Sequence, residues 1–130
     1  MIEKIRFSTG KKYELMNITE QAQKIASKAE SGAIVLFAPH ATGSIIICED
    51  EPGLKQDVID FVKNLFERKG YSHDKIDDNA HAHLISSFIG CGKTIPIENG
   101  RLTLGTWQSI FFLESDGPRE RAVYATVISS

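Results

Sequence analysis

Cysteine is scarce: Cys48 and Cys91 are the only two among 130 residues. They lie far apart and match no metal-binding or redox spacing, so neither a zinc ribbon nor a disulfide framework can be built from them. Cys48 sits in an apolar run and reads as a core thiol, while Cys91, between Gly90 and Gly92, reads as a small loop residue. An excess of one charge is also missing. Fifteen basic against 17 acidic residues leave a net charge of −2, with no sign of the strongly basic composition of a typical nucleic-acid binder, although local basic groups such as Arg119 and Arg121 remain. No apolar run approaches the roughly 20 residues of a membrane helix. The opening Met1-Ile2-Glu3-Lys4 lacks the charged-then-apolar pattern of a signal segment. The expectation is a cytoplasmic protein that engages neither membrane nor nucleic acid. Walker loops, dinucleotide fingerprints, nucleophile elbows, repeats and low-complexity tracts are absent as well.

What is present suits one domain over residues 1–130. Hydrophobic residues make up 42% and charged residues 25%, and a chain of this size buries about two-thirds of its unfolded surface. Two short strands, Ile2–Ser8 and Tyr13–Ile18, flank a turn at Thr9-Gly10-Lys11-Lys12. A helix follows, with Thr19 as N-cap and Ala22, Ile25, Ala26 and Ala29 at i, i+3, i+4, i+7. Ala33–Ala38 and Ser44–Cys48 are buried strands around a break at Pro39–Gly43, arranged as a long hairpin or a sharp bend. The second helix has Pro52 in its first turn and an apolar stripe of Leu54, Val58, Phe61, Val62 and Leu65. Arg68 and Lys69 sit at its far end, before Gly70.

Asn79–Ile89 fits two templates. As a strand it puts His81 and His83 on one face. As a helix it has Asp78 or Asn79 as N-cap and Gly90 as stop, and the helix is preferred because it uses both ends. Asn99-Gly100 predicts a tight hairpin between Thr94–Ile97 and Arg101–Leu104, and Pro96 predicts an edge strand. Thr106–Glu114 and Arg119–Ile128 complete the β content around Asp116-Gly117-Pro118. The fold class is α+β: a mostly antiparallel sheet with two long helices and a shorter third.

Several side chains are candidates for chemistry. His81-Ala82-His83 clips a metal only in a strand, since a helix splays the two rings about 200° apart. His40 follows a buried strand directly, where function collects on a rigidly held loop; its alternative role is to hydrogen-bond a hairpin end. Asp74 is placed to orient His73 in the polar loop Tyr71–Asp78. Alternation puts Gln108 and Glu114 at the ends of an apolar row. Arg119 and Arg121 share a face, where two guanidinium forks could hold a phosphate or carboxylate, or simply form a solvated edge.

Taken in order, these fragments resemble the YjbQ family, often labelled secondary thiamine-phosphate synthase. The likeness rests on His40-Ala41-Thr42-Gly43 with Glu49 and Asp57, Tyr71-Ser72-His73-Asp74, and Asn79 to His83 with Ser86-Ser87. It is most specific over Gly100-Arg101-Leu102-Thr103-Leu104-Gly105-Thr106-Trp107-Gln108, and Glu114, Gly117 and Arg119 match beyond it. The family usually carries Thr where Ala41 stands and Ala where Gly43 stands. It requires His83 and tolerates changes at His81.

The resemblance implies a homotrimer with pockets between subunits. It also implies a transferase joining a pyrimidine diphosphate to a thiazole phosphate with release of pyrophosphate. The chain is too short for the TIM barrel of the main thiamine-phosphate synthases, a fold of about 250 residues, so any shared reaction would use another scaffold. In that reading His40, His73, His83 and Glu49 are catalytic. Thr42, Trp107, Gln108 and Arg119 bind a small phosphorylated substrate, and Mg²⁺ bridges the pyrophosphate oxygens. Two rival readings remain. One is a hydrolase whose zinc sits on His40, His73 and His83; the other is a non-catalytic trimer that binds a phosphorylated metabolite.

Overall fold

Six residues in a row, Ser109–Glu114, are nearly or wholly buried, so the strand they form must be covered on both faces. The computed structural model, which describes residues 1–130, shows how. The strands are β1 (Glu3–Ser8), β2 (Glu14–Asn17), β3 (Ser31–Phe37), β4 (Gly43–Cys48), β5 (Gly92–Glu98), β6 (Arg101–Leu102), β7 (Ser109–Glu114) and β8 (Glu120–Ser129). The helices are α1 (Thr19–Ala26), α2 (Pro52–Phe66) and α3 (Ala80–Ile89), with a 3₁₀ turn at Ser72–Lys75. All strand pairs are antiparallel, in a five-stranded sheet of order β1-β8-β3-β5-β6 and a three-stranded sheet of order β2-β7-β4.

Alternation along β7 makes it the middle layer. Ile110 and Phe112 point into the larger core, with Ile34, Leu36, Ile45, Val123 and the α1 residues Ala22 and Ala26. Leu113 points the other way, to Val62 of α2, Ile85 of α3 and Tyr13. The result is sheet on sheet on helices, an α+β fold.

Local signals explain most boundaries. Glu51 caps α2 by accepting from the N–H groups of Gly53 and Leu54, and Pro52 occupies its first turn. Gly90, at φ 98°, ends α3. Asn99 and Gly100, both at positive φ, form the tight β5–β6 turn. The helix reading of Asn79–Ile89 therefore holds, and the strand alternative falls.

One open alternative is settled and three expectations change. β3 and β4 join different sheets, so the break at Pro39–Gly43 is a sharp bend rather than a hairpin. The first helix stops at Ala26, three residues short of Ala29, so α2 is the one long helix. Thr19 is not its cap; its hydroxyl instead donates to Asn17 and accepts from Ile110 N–H of β7. Pro96 does not lie on an edge, because β5 runs between β3 and β6. Its carbonyl accepts from Thr103 on the β6 side, and the N–H that proline lacks would face that same side, where β6 is only two residues long.

Gly32 is the tightest backbone contact in the larger sheet. Its φ is 140°, and a Cβ there would lie 1.9 Å from the Ile128 carbonyl oxygen. Gly32→Ala is expected to lower stability by at least ~2 kcal/mol. That is a thermal midpoint lower by roughly 5–10 °C, read by circular dichroism.

Candidate functional site

Glu114 closes β7 with a carboxylate that is fully buried. Such a group is tolerable only if paired and saturated with donors. Its Oε1 accepts from Thr9 Oγ1 at 2.7 Å and Arg121 Nε at 2.8 Å. Its Oε2 accepts from the N–H groups of Ser115 and Asp116 at 3.1 and 3.0 Å, and from Arg121 Nη2. The same Nη2 reaches Thr42, bonding Oγ1 at 3.0 Å and the carbonyl at 3.3 Å. Burial pushes the Glu114 carboxyl up, but Arg121, Thr9 and the Asp116 N–H outweigh it and hold the group below the ordinary carboxylate range.

Asp116 follows on the β7–β8 turn. Arg119 grips it twice, donating from Nε to its carbonyl at 2.8 Å and from Nη2 to Oδ2 at 2.9 Å. Burial raises the Asp116 carboxyl, and bonds from Asn79 and Arg119 pull it back below its usual value. Asn79 Nδ2 donates to Asp116 Oδ2 at 2.9 Å, and its Oδ1 lies 2.9 Å from His73 Nε2. A carboxylate only accepts, so the amide must turn its NH₂ to Asp116 and its oxygen to His73. His73 must then donate, which fixes its proton on Nε2 and leaves Nδ1 with a lone pair. The His83 ring stands edge-on to His73, with centroids 4.6 Å apart.

This arrangement corrects the role expected of Asp74. It does not orient His73; its Oδ1 accepts from Ala80 N–H at 3.0 Å, at the start of α3. Asn79 occupies the N-cap position but makes no side-chain cap bond. Because Asp74 takes over the capping, the Asn79 amide is released to join His73 to Asp116.

The His40 ring is bonded elsewhere. Beyond the last β3–β8 pair, Phe37 with Tyr124, its Nε2 stands 3.0 Å from the Ala122 carbonyl and 3.1 Å from the Ala122 nitrogen. The imidazole thus continues the bonding to β8 where β3 leaves off. Burial, with Arg121 adding to it, lowers the His40 pKa against the opposing pull of Ala122 and Glu114. The three-imidazole metal centre of His40, His73 and His83 therefore does not form. No three His, Cys, Asp or Glu side chains are arranged to hold an ion, because His73 and His83 pair with each other while His40 is spent on backbone. The residues of the chain do not fit a resident zinc of that type.

The remaining candidates are placed as follows. Thr42 is buried against Arg121. The forks of Arg119 and Arg121 are engaged by Asp116 and Glu114. Gln108 Oε1 accepts from Gly105 N–H at 2.8 Å and closes an exposed turn from which Trp107 projects, 72% exposed. Glu49 contributes its carbonyl to a turn with Glu51. Gly43 has a steric reason: a Cβ there would fall 2.2 Å from the Phe112 ring. Ala41 is exposed, and the network beside His40 runs through Thr42 instead. Sequence reasoning missed Asn79 and Asp116 as site residues. The available signal was an asparagine at a helix start already served by an upstream aspartate.

Removing the Glu114 charge tests the network. Glu114→Gln leaves the buried Arg121 without its counter-charge and is expected to cost about 3–5 kcal/mol. The pH dependence has a definite sign. Glu114 and Asp116 have depressed folded pKa values, so their stabilisation is full above the unfolded carboxylate range and is lost as pH falls through the folded values. The lowered pKa of His40 acts in the same direction below its unfolded value near 6.5. Urea midpoints measured at pH 7 and pH 3.5 should fall with acid for the parent chain, and fall less for Glu114→Gln.

Comparison with known proteins agrees over the whole chain. The family model described as UPF0047 protein YjbQ-like matches residues 3–130. A UPF0047 protein of Archaeoglobus fulgidus is 41% identical over 120 residues, covering 92% of this chain and 94% of its own. UPF0047 protein YugU of Bacillus subtilis is 34% identical over 127 residues, covering 95% and 96%. Among solved structures, a YbjQ-like protein of unknown function from Sulfolobus solfataricus matches with a TM-score of 0.97 at 37% identity, covering 100% of this chain and 97% of that one. A hypothetical protein from Aeropyrum pernix gives a TM-score of 0.95 at 34% identity.

These findings overturn the thiamine-phosphate synthase activity expected from the resemblance. The family and its relatives are described by family alone, one neighbour explicitly as of unknown function, and none supports that transfer reaction. What the matches establish is kinship: this chain belongs to the UPF0047 (YjbQ-like) family.

Proposed function

We propose that the chain is an enzyme that moves protons on a small anionic substrate by general acid–base catalysis, with His73 as base and His83 as its partner. The single observation behind this is the His73 tautomer. The chain from Arg119 through Asp116 and Asn79 fixes Nε2–H, so Nδ1 presents a lone pair of fixed direction. Imidazole is the side chain best suited to proton transfer near neutral pH. The second ring, 4.6 Å away between centroids, can receive or return the proton. Asn79 and Asp116 are positioning residues, acting through His73. Arg119, half exposed at its side chain and joined to the same network through Asp116, is the cation proposed for the substrate's charge, and a phosphorylated compound is the proposed class. No step is assigned to a metal ion.

Two measurements test this reading. Imidazole ¹⁵N spectra of the whole chain should show His73 carrying its proton on Nε2, and Asn79→Leu should release that preference. A proton on Nδ1 in the parent chain refutes the assignment. Turnover on a panel of phosphate- and carboxylate-bearing small molecules should fall about 10²–10⁴-fold in His73→Gln and His83→Gln with folding retained. A substrate turned over equally well by His73→Gln also defeats the proposal.

Assembly and compartment belong to the same proposal. A homotrimer is proposed, and the apolar surface that one copy leaves open, with Phe61 66%, Leu65 51% and Phe88 77% exposed, supports association between copies. Light scattering on the purified protein should give three times the 14.4 kDa of one chain, and a monomer mass at micromolar concentration counts against it. No helix is long and apolar enough to cross a membrane. Two free cysteines suit the cytoplasm as the proposed location.

A further inference from the structure

On the side of α3 that carries His81 rather than His83 lies a cavity of about 390 Å³ with no apolar lining residue. Its walls carry three cations, Lys12, Arg68 and Lys69, and three carboxylates, Glu67, Asp74 and Asp78. His81 completes the lining. That imidazole is 8% exposed, and its Nε2 is buried with no hydrogen-bond partner. Behind it, Tyr13 stands 6.0 Å away between ring centroids.

Burying a bare lone pair costs less than burying an N–H without an acceptor. On that ground the single-proton form of the His81 ring carries its N–H at Nδ1, the ring nitrogen that is not among the buried unpartnered atoms. Not all the wall charges are free. Lys12 bonds Glu67 at 3.3 Å, and Asp74 caps α3 through Ala80. Arg68, Lys69 and Asp78 have no partner in any salt bridge of the chain. The cavity thus offers one imidazole donor and two free cations beside one free carboxylate. A simple anion would leave Asp78 opposing it, and a simple cation would leave Arg68 and Lys69 opposing it.

We propose that this cavity binds a small zwitterion of the α-amino-acid type. Its carboxylate accepts from His81 Nδ1–H and from Arg68 or Lys69, and its ammonium is held by Asp78. With no apolar wall, the site selects small or polar side chains. It requires nothing of His73 or His83, so it stands independently of the acid–base reading.

The test is a titration of the ¹⁵N-labelled full chain, followed by amide and imidazole shifts at constant ionic strength. Glycine and L-glutamine are the probes, with acetate, methylammonium and inorganic phosphate as parallel arms. The expected result is a saturable response centred on His81, Arg68, Lys69 and Asp78. The amino acids should bind at least about tenfold more tightly than acetate or methylammonium, the equivalent of one charge-assisted hydrogen bond. His81→Phe keeps the ring and removes its nitrogens, and should weaken binding by about tenfold. Arg68→Ala with Asp78→Asn, both at exposed positions, carries the same expectation if His81→Phe does not fold. A response that does not saturate, binding unchanged in these variants, or phosphate or acetate binding as tightly as glycine, overturns the proposal. His73→Gln should bind the probes as the parent does, which separates this site from the acid–base pair.

Discussion

The buried carboxylate of Glu114 is the constraint on which the site is built. Water cannot solvate it, so the chain must bring donors from three places: the turn after β1, the turn after β7, and β8. Thr9 lies 105 positions away in sequence and Arg121 only seven. The carboxylate therefore ties the start of the chain to its last two strands, and Arg121 carries the tie on to Thr42 in the bend before β4. Its bond from Asp116 N–H also sets the turn from which Asp116 reaches Asn79. The order of causation runs from Glu114 to Asp116, to Asn79, and finally to the His73 tautomer.

Buried ion pairs of this kind contribute little net stability against a well-packed apolar alternative, because desolvation consumes most of the Coulombic gain. Their effect is to make other arrangements worse. With Glu114 in place, any conformation that withdraws Arg121 or Thr9 leaves a charge in a dry interior. The neighbourhood of His73 is accordingly held by penalties as much as by attractions, which suits a group that must present one nitrogen in one direction. The same economy of partners shapes α3, where Asp74 caps the helix and so leaves the Asn79 amide for longer-range work.

α3 also separates two environments. Residues two apart on a helix point about 200° from each other, so His83 meets His73 while His81 turns toward Tyr13 and a cavity lined only by polar groups. One short segment, Ala80–Ile89, presents imidazoles to opposite sides of the fold.

The sequence by itself determined what depends on neighbours within a turn or two. The start of α2, the glycine stop of α3, the Asn99-Gly100 hairpin and the alternation of β7 were all legible, because capping, φ preference and side-chain period are local properties; the end of α2 was not, since the helix stops at Phe66, ahead of Arg68, Lys69 and Gly70. Family membership was legible for the same reason, since it is read from short runs such as Gly105-Thr106-Trp107-Gln108. Tertiary structure alone decided which histidines meet. Spacing along the chain gave His40, His73 and His83 equal claims, but the sheet order sent His40 to the Ala122 backbone. Nor could spacing identify Asn79 and Asp116, 37 residues apart, as joined members of one relay. A hydrogen bond between distant residues follows from how the layers stack, and that is settled by burying the whole core rather than by any segment of it.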